Sequence, residues 1–333
     1  MSPRPPPCIL YTNYYILNMK IVFFGSSSFA VASLEALIAS RRNVACVVTQ
    51  PDTSSGRGLL NSSTDIKACA LKHNLRLYQP KGINSPEAVK FLQGLDADLF
   101  VVVSYGQILS SAVLAVPKIF SINVHASLLP RYRGAAPVNW AIINGDSYTG
   151  VTIIRMNERM DSGEIIAQKR VGIEDSDTAI TLEDKLAVEG AALLLECLKD
   201  VETNDVKLLP QGEGRQACAP KLKKSDGLIN WRLPAAQVLN LVRGTAGWPG
   251  AFTYYRGKLL KVFKARVGRP REQGAAGIAG QITGVSRKGI AVATSKDELV
   301  IEELQMEGGR RMSVEEFLAG HDISVGETLR LKK

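Results

Sequence analysis

Histidine is scarce in this 333-residue chain: His73, His125 and His321 are the full set, so the imidazoles able to move a proton near neutral pH are quickly inspected. His73 lies in a Lys-His-Asn stretch and His321 in a Gly-His-Asp stretch, and both read as solvated residues closing a helix or a turn. His125 is different. It follows the run Ser121-Ile122-Asn123-Val124, at the carboxyl end of a strand, where open α/β sheets bind their ligands. Period-two alternation puts Asn123 and His125 on one side of an extended segment. A neutral amide beside an imidazole can hydrogen-bond an oxygen that gains charge and can move one proton. The same pair can also cap a strand end for purely structural reasons. Downstream, Asp161-Ser162-Gly163 supplies a carboxylate in a stretch between two strand-like runs. Taken alone it is a turn; brought to His125, Asp161 would hold the imidazole's tautomer or order a water.

Several other chemistries lack their residues. There is no GxSxG elbow, no Walker GxxxxGK[ST] loop and no His-rich ligand set, so no NTPase, zinc hydrolase or other metal site is expected. The first apolar run ends in Gly25-Ser26-Ser27-Ser28-Phe29-Ala30, where a dinucleotide fingerprint would stand, but only Gly25 of GxGxxG is present. NAD is therefore not expected. The five cysteines are odd in number, scattered and without a CxxC pair, which fits a reducing, cytoplasmic compartment. No stretch approaches the roughly 18 uninterrupted apolar residues of a membrane span.

These candidates need a scaffold, and the hydrophobic pattern supplies one. Strand-like runs at Lys20–Phe24, Asn43–Thr49, Leu75–Tyr78, Asp98–Val103 and Ile119–Val124 alternate with helical periodicity at Phe29–Ser40, Asp65–His73, Ser85–Gly94 and Val138–Asn144. Two further strands, Gly150–Met156 and Glu164–Ile173, precede a long helix at Ala179–Val201, and Gln50–Thr64 reads as a turn-rich stretch. Near-continuous apolar strands between helices imply a Rossmann-like, doubly wound, mostly parallel sheet covered on both faces, over residues 19–202. Residues 203–223 are polar and Gly-containing, a linker. Residues 224–333 carry short β-rich runs separated by glycines, the texture of a small barrel or sandwich. Residues 1–18, with a proline run and no clean signal-peptide pattern, read as a disordered extension or a mis-called start before Met19.

Charge divides along the same line. Of 41 Lys+Arg and 32 Asp+Glu, 21 of each precede Lys221, so the remaining 20 bases and 11 acids carry the whole net charge of +9. Exposed strands often carry lysine against edge aggregation, whereas an accessory domain that meets nucleic acid needs the same surplus. Charge alone does not separate the two.

The ordered motifs resemble the folate-dependent formyltransferases. They are Asn123-x-His125, Ser127-Leu128-Leu129-Pro130 with Arg131-x-Arg133-Gly134-Ala135-Ala136-Pro137, and Asp161-Ser162-Gly163. Gln50-Pro51-Asp52 with Gly56-Arg57-Gly58, Ser104-Tyr105-Gly106-x-Ile108-Leu109 and Trp248-Pro249 extend the likeness from about Lys20 nearly to the C-terminus. The branch it matches best is the one whose acceptor is methionyl-tRNA. The resemblance implies 10-formyltetrahydrofolate as donor and the α-amino group of methionine on initiator tRNA as acceptor, by direct acyl transfer in a cytoplasmic monomer. It implies Asn123, His125 and Asp161 as the catalytic trio and Ser127, Leu128, Leu129 and Pro130 as folate-lining residues. It places the 105–109 loop near the pterin, Arg57 at the tRNA acceptor end, and an OB-like, tRNA-contacting fold in the C-terminal domain. No metal and no membrane is implied.

Two positions depart from the family pattern. Ala126 stands where glycine usually follows the histidine, which is compatible unless that residue needs positive φ. Leu59-Leu60-Asn61-Ser62-Ser63 follows Gly58, where the family is often Lys-rich, so the basic domain must carry more of the phosphate contact. The alternatives are the same transfer to a small amine, hydrolysis of the folate to formate, and a catalytically silent tRNA-binding protein. The basic domain argues against the first two, and the intact trio against the third.

Overall fold

The computed structural model describes residues 19–55, 60–212, 217–270 and 278–330. The expectations for residues 1–18 and for Arg57 lie outside them. The chain divides into two compact units. The first takes the chain to Gly134, then Thr149–Val171 and Glu183–Cys218; the second takes Ala135–Tyr148, Gly172–Leu182 and the chain from Ala219 onward. No helix among the described residues is long and apolar enough to cross a membrane.

The first unit is built on β1 (Lys20–Gly25), α1 (Ser28–Ala39), β2 (Asn43–Val48), β3 (Thr53–Ser55), β4 (Leu60–Ser62), α2 (Asp65–Lys72), β5 (Leu77–Tyr78) and α3 (Pro86–Gln93). It continues through β6 (Leu99–Val103), α4 (Ser111–Leu114), β7 (Phe120–His125), β8 (Tyr148–Arg155) and β9 (Ile165–Gly172), with α5 (Pro137–Ile143) falling in the second unit and α6 (Ala179–Thr203) closing the series. Seven strands pair in the order β5-β2-β1-β6-β7-β8-β9. The pairs from β5 to β7 are parallel, and β8 runs antiparallel to β7. Every residue of β6, and all of β1 after Lys20, is buried, as runs of Val and Phe demand when helices cover both faces. Gly25 is small for packing reasons: a Cβ there would lie 2.8 Å from the Ala30 Cβ.

Two local expectations change. The stretch Gln50–Thr64 is not turns throughout, because β3 and β4 pair antiparallel within it, Thr53 opposite Ser62. Strands of three residues rich in Ser and Asn carry no apolar alternation to betray them. The strand carrying Asn123 also runs one residue further than its apolar run and takes His125 into the ladder, opposite Thr152.

In the second unit, α7 (Ala235–Gly244) precedes β10 (Ala251–Tyr255), β11 (Lys258–Val267), β12 (Ile282–Ser286), β13 (Gly289–Ala293), β14 (Glu298–Met306), β15 (Met312–Ser313) and α8 (Val314–Leu318). The antiparallel order is β10-β11-β14-β13-β12, with β15 added to β14. The named strands of the expected small barrel do not close on one another by pairing. The path ends on β10 and β12, and the segment Gly326–Arg330 bonds to both ends, at Tyr254 of β10 and at Gly280 and Ile282 beside and on β12. Trp231, Val238, Val262, Ile290, Ile301 and Phe317 fill the interior. Some of the surplus cations are neutralised locally: Lys264 and Arg266 meet Glu302, Arg311 meets Glu303, and Arg310 meets Glu316.

Glu327 ties that terminal segment down. Its carboxylate accepts from the Tyr255 hydroxyl at 2.7 Å, from Arg256 Nε at 2.8 Å and from the Ser324 amide at 2.8 Å. The Tyr255 bond first, then the Ser324 amide, hold this carboxyl below the usual glutamate range, while burial first and then Glu327 push the Tyr255 phenol up to about 12. A depressed carboxylate stabilises the fold above its unfolded value, near 4.3, and loses that contribution as pH falls through its lower folded value. The melting temperature of the wild type should therefore fall more steeply below about pH 4 than that of Glu327→Gln, which should melt lower at pH 7. Scanning calorimetry from pH 3 to 7 on both proteins tests this; parallel curves would contradict it.

Candidate active site

The site grows from the carboxyl end of β7. His125 is 6% exposed, fixed by the strand and by the loop that follows it. Its Nε2 lies 2.9 Å from the Tyr132 carbonyl, which can only accept, so Nε2 carries a hydrogen. In the neutral ring that leaves a lone pair on Nδ1. Nδ1 faces Asp161 Oδ2 at 3.6 Å, too long for a direct hydrogen bond. Two acceptors thus face one another with room for a donor, and a proton arriving at Nδ1 would be met by a carboxylate. Asp161 is held in turn, Oδ2 accepting from the Gly134 amide at 2.9 Å, and its backbone adopts the left-handed φ of +50°. The fold therefore brings His125 and Asp161 together. Asn123 is half-buried two residues before His125, and no hydrogen bond of its side chain occurs among the described residues.

The turn Met156–Gly163 that carries Asp161 joins β8 to β9. Ser162 Oγ donates to Asn157 Oδ1 and to the Arg159 carbonyl, both at 3.0 Å, closing the turn from inside. Gly163 passes so close to the Arg155 carbonyl that any Cβ would collide with it, which is why this turn ends in glycine.

The loop after His125 is rigidly braced. Ser127 is fully buried and donates to the Arg131 carbonyl at 2.7 Å. The Leu129 amide donates to Thr152 Oγ1 at 3.0 Å, its carbonyl accepts from Gln168 Nε2 at 2.8 Å, and the Leu129–Pro130 bond is cis. Of the four residues expected to line a folate, Ser127 and Leu129 are buried, with the Ser127 hydroxyl committed to the loop and the Leu129 main chain to β8 and β9; Leu128 and Pro130 remain half-buried. Ala126, in the family's glycine position, is not among the residues with positive φ, so its methyl is tolerated. Tyr105 is 2% exposed, and its carbonyl accepts from Ser26 Oγ at 3.1 Å and Gln50 Nε2 at 2.8 Å. Burial pushes its phenol up to about 12, while Ile108 beyond it is exposed. Asp52 accepts from Lys67 Nζ at 2.5 Å and from Gln79 Nε2 at 3.1 Å, bonds that hold its carboxyl below the usual range.

A cavity of about 760 Å³ lies in this unit, within the size range of small-molecule sites, and Ser111, Leu114, Met156, Asn157, Arg133 and Arg159 line it. Cys46 and Cys197 are not rival nucleophiles: burial pushes the Cys46 thiol up to about 11 and the Cys197 thiol up to about 12. His73 caps α2 but is not solvated, its Nε2 being buried without a partner among the described residues. His321 caps α8's end through Nδ1 to the Phe317 carbonyl at 3.0 Å and stacks on that ring.

Four contributors have no role in the sequence pattern: the Tyr132 carbonyl, the Gly134 amide, Gln211, and Arg133, which stands in a motif without one. The first two act through the main chain, which carries no residue-type signal. Gln211 lies in the stretch read as a linker, yet Leu209 beside it exchanges both backbone bonds with Ile165.

Comparison with known proteins adds a family. Residues 19–198 match the formyl transferase model, and residues 221–322 match the model of the formyl transferase C-terminal domain. A protein of Acetivibrio thermocellus named methionyl-tRNA formyltransferase is 44% identical over 311 residues, 93% of this chain and 99% of that one. One of the same name from Alkaliphilus oremlandii is 42% identical over 93% of this chain and 99% of its own. Among solved structures, HypX from Aquifex aeolicus in complex with tetrahydrofolic acid superposes with a TM-score of 0.62 at 18% identity, over 94% of this chain and 51% of that one. The sugar 3N-formyl transferase WlaRD gives 0.62 at 18% identity, over 85% and 96%. At that identity both show the shared fold.

Proposed function

The chain belongs to the formyl transferase family in both of its domains, and from that premise we propose the reaction and the roles of its site residues. It transfers a formyl group from 10-formyltetrahydrofolate to the α-amino group of methionine on initiator tRNA. The observation that carries this reading is the pairing of His125 Nδ1 with Asp161 Oδ2 across 3.6 Å, beside a half-buried Asn123, at the end of a central strand. Near full-length relatives named for the same reaction support it.

When bound, the folate supplies a formyl group on a nitrogen that can leave. Asn123 donates its amide hydrogens to the formyl oxygen as the amine adds to the carbon and the C=O electron pair moves onto that oxygen. Preorganised donors of this kind act without reorganising at the moment of reaction. His125 Nδ1 takes the proton that the attacking nitrogen loses. The imidazolium then lies between two acceptors, the Tyr132 carbonyl at Nε2 and Asp161 at Nδ1. As the bond to the folate nitrogen breaks, the same proton passes to that nitrogen and His125 returns to its starting tautomer. The cavity between α4 and the Met156–Gly163 turn is large enough to hold part of the folate, with Leu128, Pro130 and the Tyr105–Leu109 loop as further contacts.

The basic second unit takes the tRNA, and Arg57, which lies in sequence between β3 and β4, reaches the acceptor end. The domain reading follows the functions: residues 19–202 catalyse, 203–223 link, and 224–333 bind tRNA. The protein works as a monomer in the cytoplasm, a reducing compartment that the free Cys46, Cys69, Cys197 and Cys218 favour.

The test is acceptor choice. Labelled 10-formyltetrahydrofolate is offered initiator methionyl-tRNA, elongator methionyl-tRNA, free methionine or no acceptor. Label is expected on the initiator species alone, and Arg57→Ala is expected to narrow the gap between the two tRNAs. Release of formate without acceptor would replace this reading with hydrolysis, and transfer to free methionine would remove the tRNA from it.

A further inference from the structure

The geometry points to Gln211 as a positioning residue for Asp161, an inference that rests on Asp161 belonging to the reactive set. Gln211 Nε2 donates one hydrogen to the Asp161 carbonyl at 2.9 Å and the other to the Gly163 carbonyl at 2.7 Å. Its Oε1 accepts from Arg133 Nε at 2.9 Å and from Arg133 Nη2 at 2.5 Å. The amide cannot be turned over, because a flip would set its NH2 against the guanidinium and its oxygen against two carbonyls. All donors and acceptors of the Gln211 side chain are therefore used, and each is specific.

Three segments meet in this one side chain: the loop after His125 through Arg133, the turn carrying Asp161, and the stretch after α6. Asp161 needs such support. Its φ of +50° is uncommon for a residue with a Cβ, and among the described residues its own carboxylate has the Gly134 amide at 2.9 Å as its one hydrogen-bond donor. Gly134 follows Arg133 directly, so the residue that holds Gln211 and the amide that holds the carboxylate are neighbours in one loop. Gln211 thus grips Asp161 by its main chain while Gly134 grips it by its side chain. The 3.6 Å gap between Asp161 and His125 is what the two grips set together.

Gln211→Ala should lower kcat by about 10- to 100-fold while the KM for each substrate moves less than about threefold, since misplacing a reactive group by about 1 Å can cost 10²-fold. Gln211→Glu, which keeps a partner for Arg133 but cannot donate to the two carbonyls, should lose as much. In an Asp161→Asn background Gln211→Ala should cost less than about threefold, because residues acting through one group are not additive. Equal cost in both backgrounds, or a loss confined to KM, would overturn the inference. A second measurement does not depend on turnover. With three histidines in the chain, 15N-histidine spectra should show the His125 signal displaced in Gln211→Ala with His73 and His321 unmoved. An unmoved His125 signal would also overturn it. Should the wild type release formate instead of formylating tRNA, the proposed reaction fails, while the same cycle read on formate and the same spectra still decide the role of Gln211.

Discussion

His125→Ala should lower the rate of formyl transfer by roughly 10³-fold, within the 10² to 10⁴ that a positioned general acid–base group supplies. The loss should lie in kcat, with the KM for the folate and for the tRNA almost unchanged. The reason is the allocation of the ring nitrogens. Nε2 is spent on the Tyr132 carbonyl at 2.9 Å, which leaves Nδ1 as the nitrogen expected to take the proton. Asp161 is not expected to replace it, because its Oδ2 is already bonded to the Gly134 amide. His125→Asn should be as slow: an amide can keep a hydrogen bond to Tyr132 but cannot accept and return a proton. Single-turnover quench measurements with both substrates saturating check this. A rate within threefold of wild type for either variant would remove His125 from the chemistry.

Asn123→Ala should cost on the order of 10² to 10³ in kcat, the range seen when one donor to a developing oxyanion is removed. The expectation follows from what its neighbours lack. Along β7, Ile122 and Val124 are apolar and buried in the sheet, and the Ser121 hydroxyl is buried without a hydrogen-bond partner among the described residues. Asn123 is the side chain of this strand that is half-buried and, among the described residues, keeps its donors unspent. Asn123→Asp should be no better than alanine, because it offers a negative charge where charge develops. Parallel kcat and KM measurements at saturating folate separate this from a binding role; an increase in KM with kcat unchanged would contradict it.

Much of this was legible in the sequence because it rests on side-chain type and period. Val22 to Phe24 and Leu99 to Val103 are apolar without a break, and strands buried on both faces have to be. Asn123 and His125 stand out as polar residues closing such a run, and Asp161 as a carboxylate in a turn ending with glycine. What the sequence hid was main-chain and long-range. The tautomer of His125 is set by a carbonyl of Tyr132, a residue whose side chain is buried elsewhere. Gln211 sits among polar and glycine residues that look like a tether, and its partners are 78 and 50 positions away. The pairing of β3 with β4 leaves no sequence mark because Thr, Ser and Asn can pair as strands without alternating. The second sheet's edges are joined by the segment 326–330, whose Gly-Glu-Thr composition gives no strand signal.

The central claim is that this site places a formyl group on the amino group of methionine carried by tRNA. The most direct measurement is the identity of the aminoacyl product. Wild-type protein, His125→Ala and Asn123→Ala are each given one equivalent of initiator methionyl-tRNA and excess 10-formyltetrahydrofolate, quenched early, and the ester is hydrolysed for mass analysis. The account predicts N-formylmethionine from the wild type and almost none from either variant, with tRNA binding retained in all three. Unmodified methionine from the wild type, or equal N-formylmethionine from the variants, would contradict it.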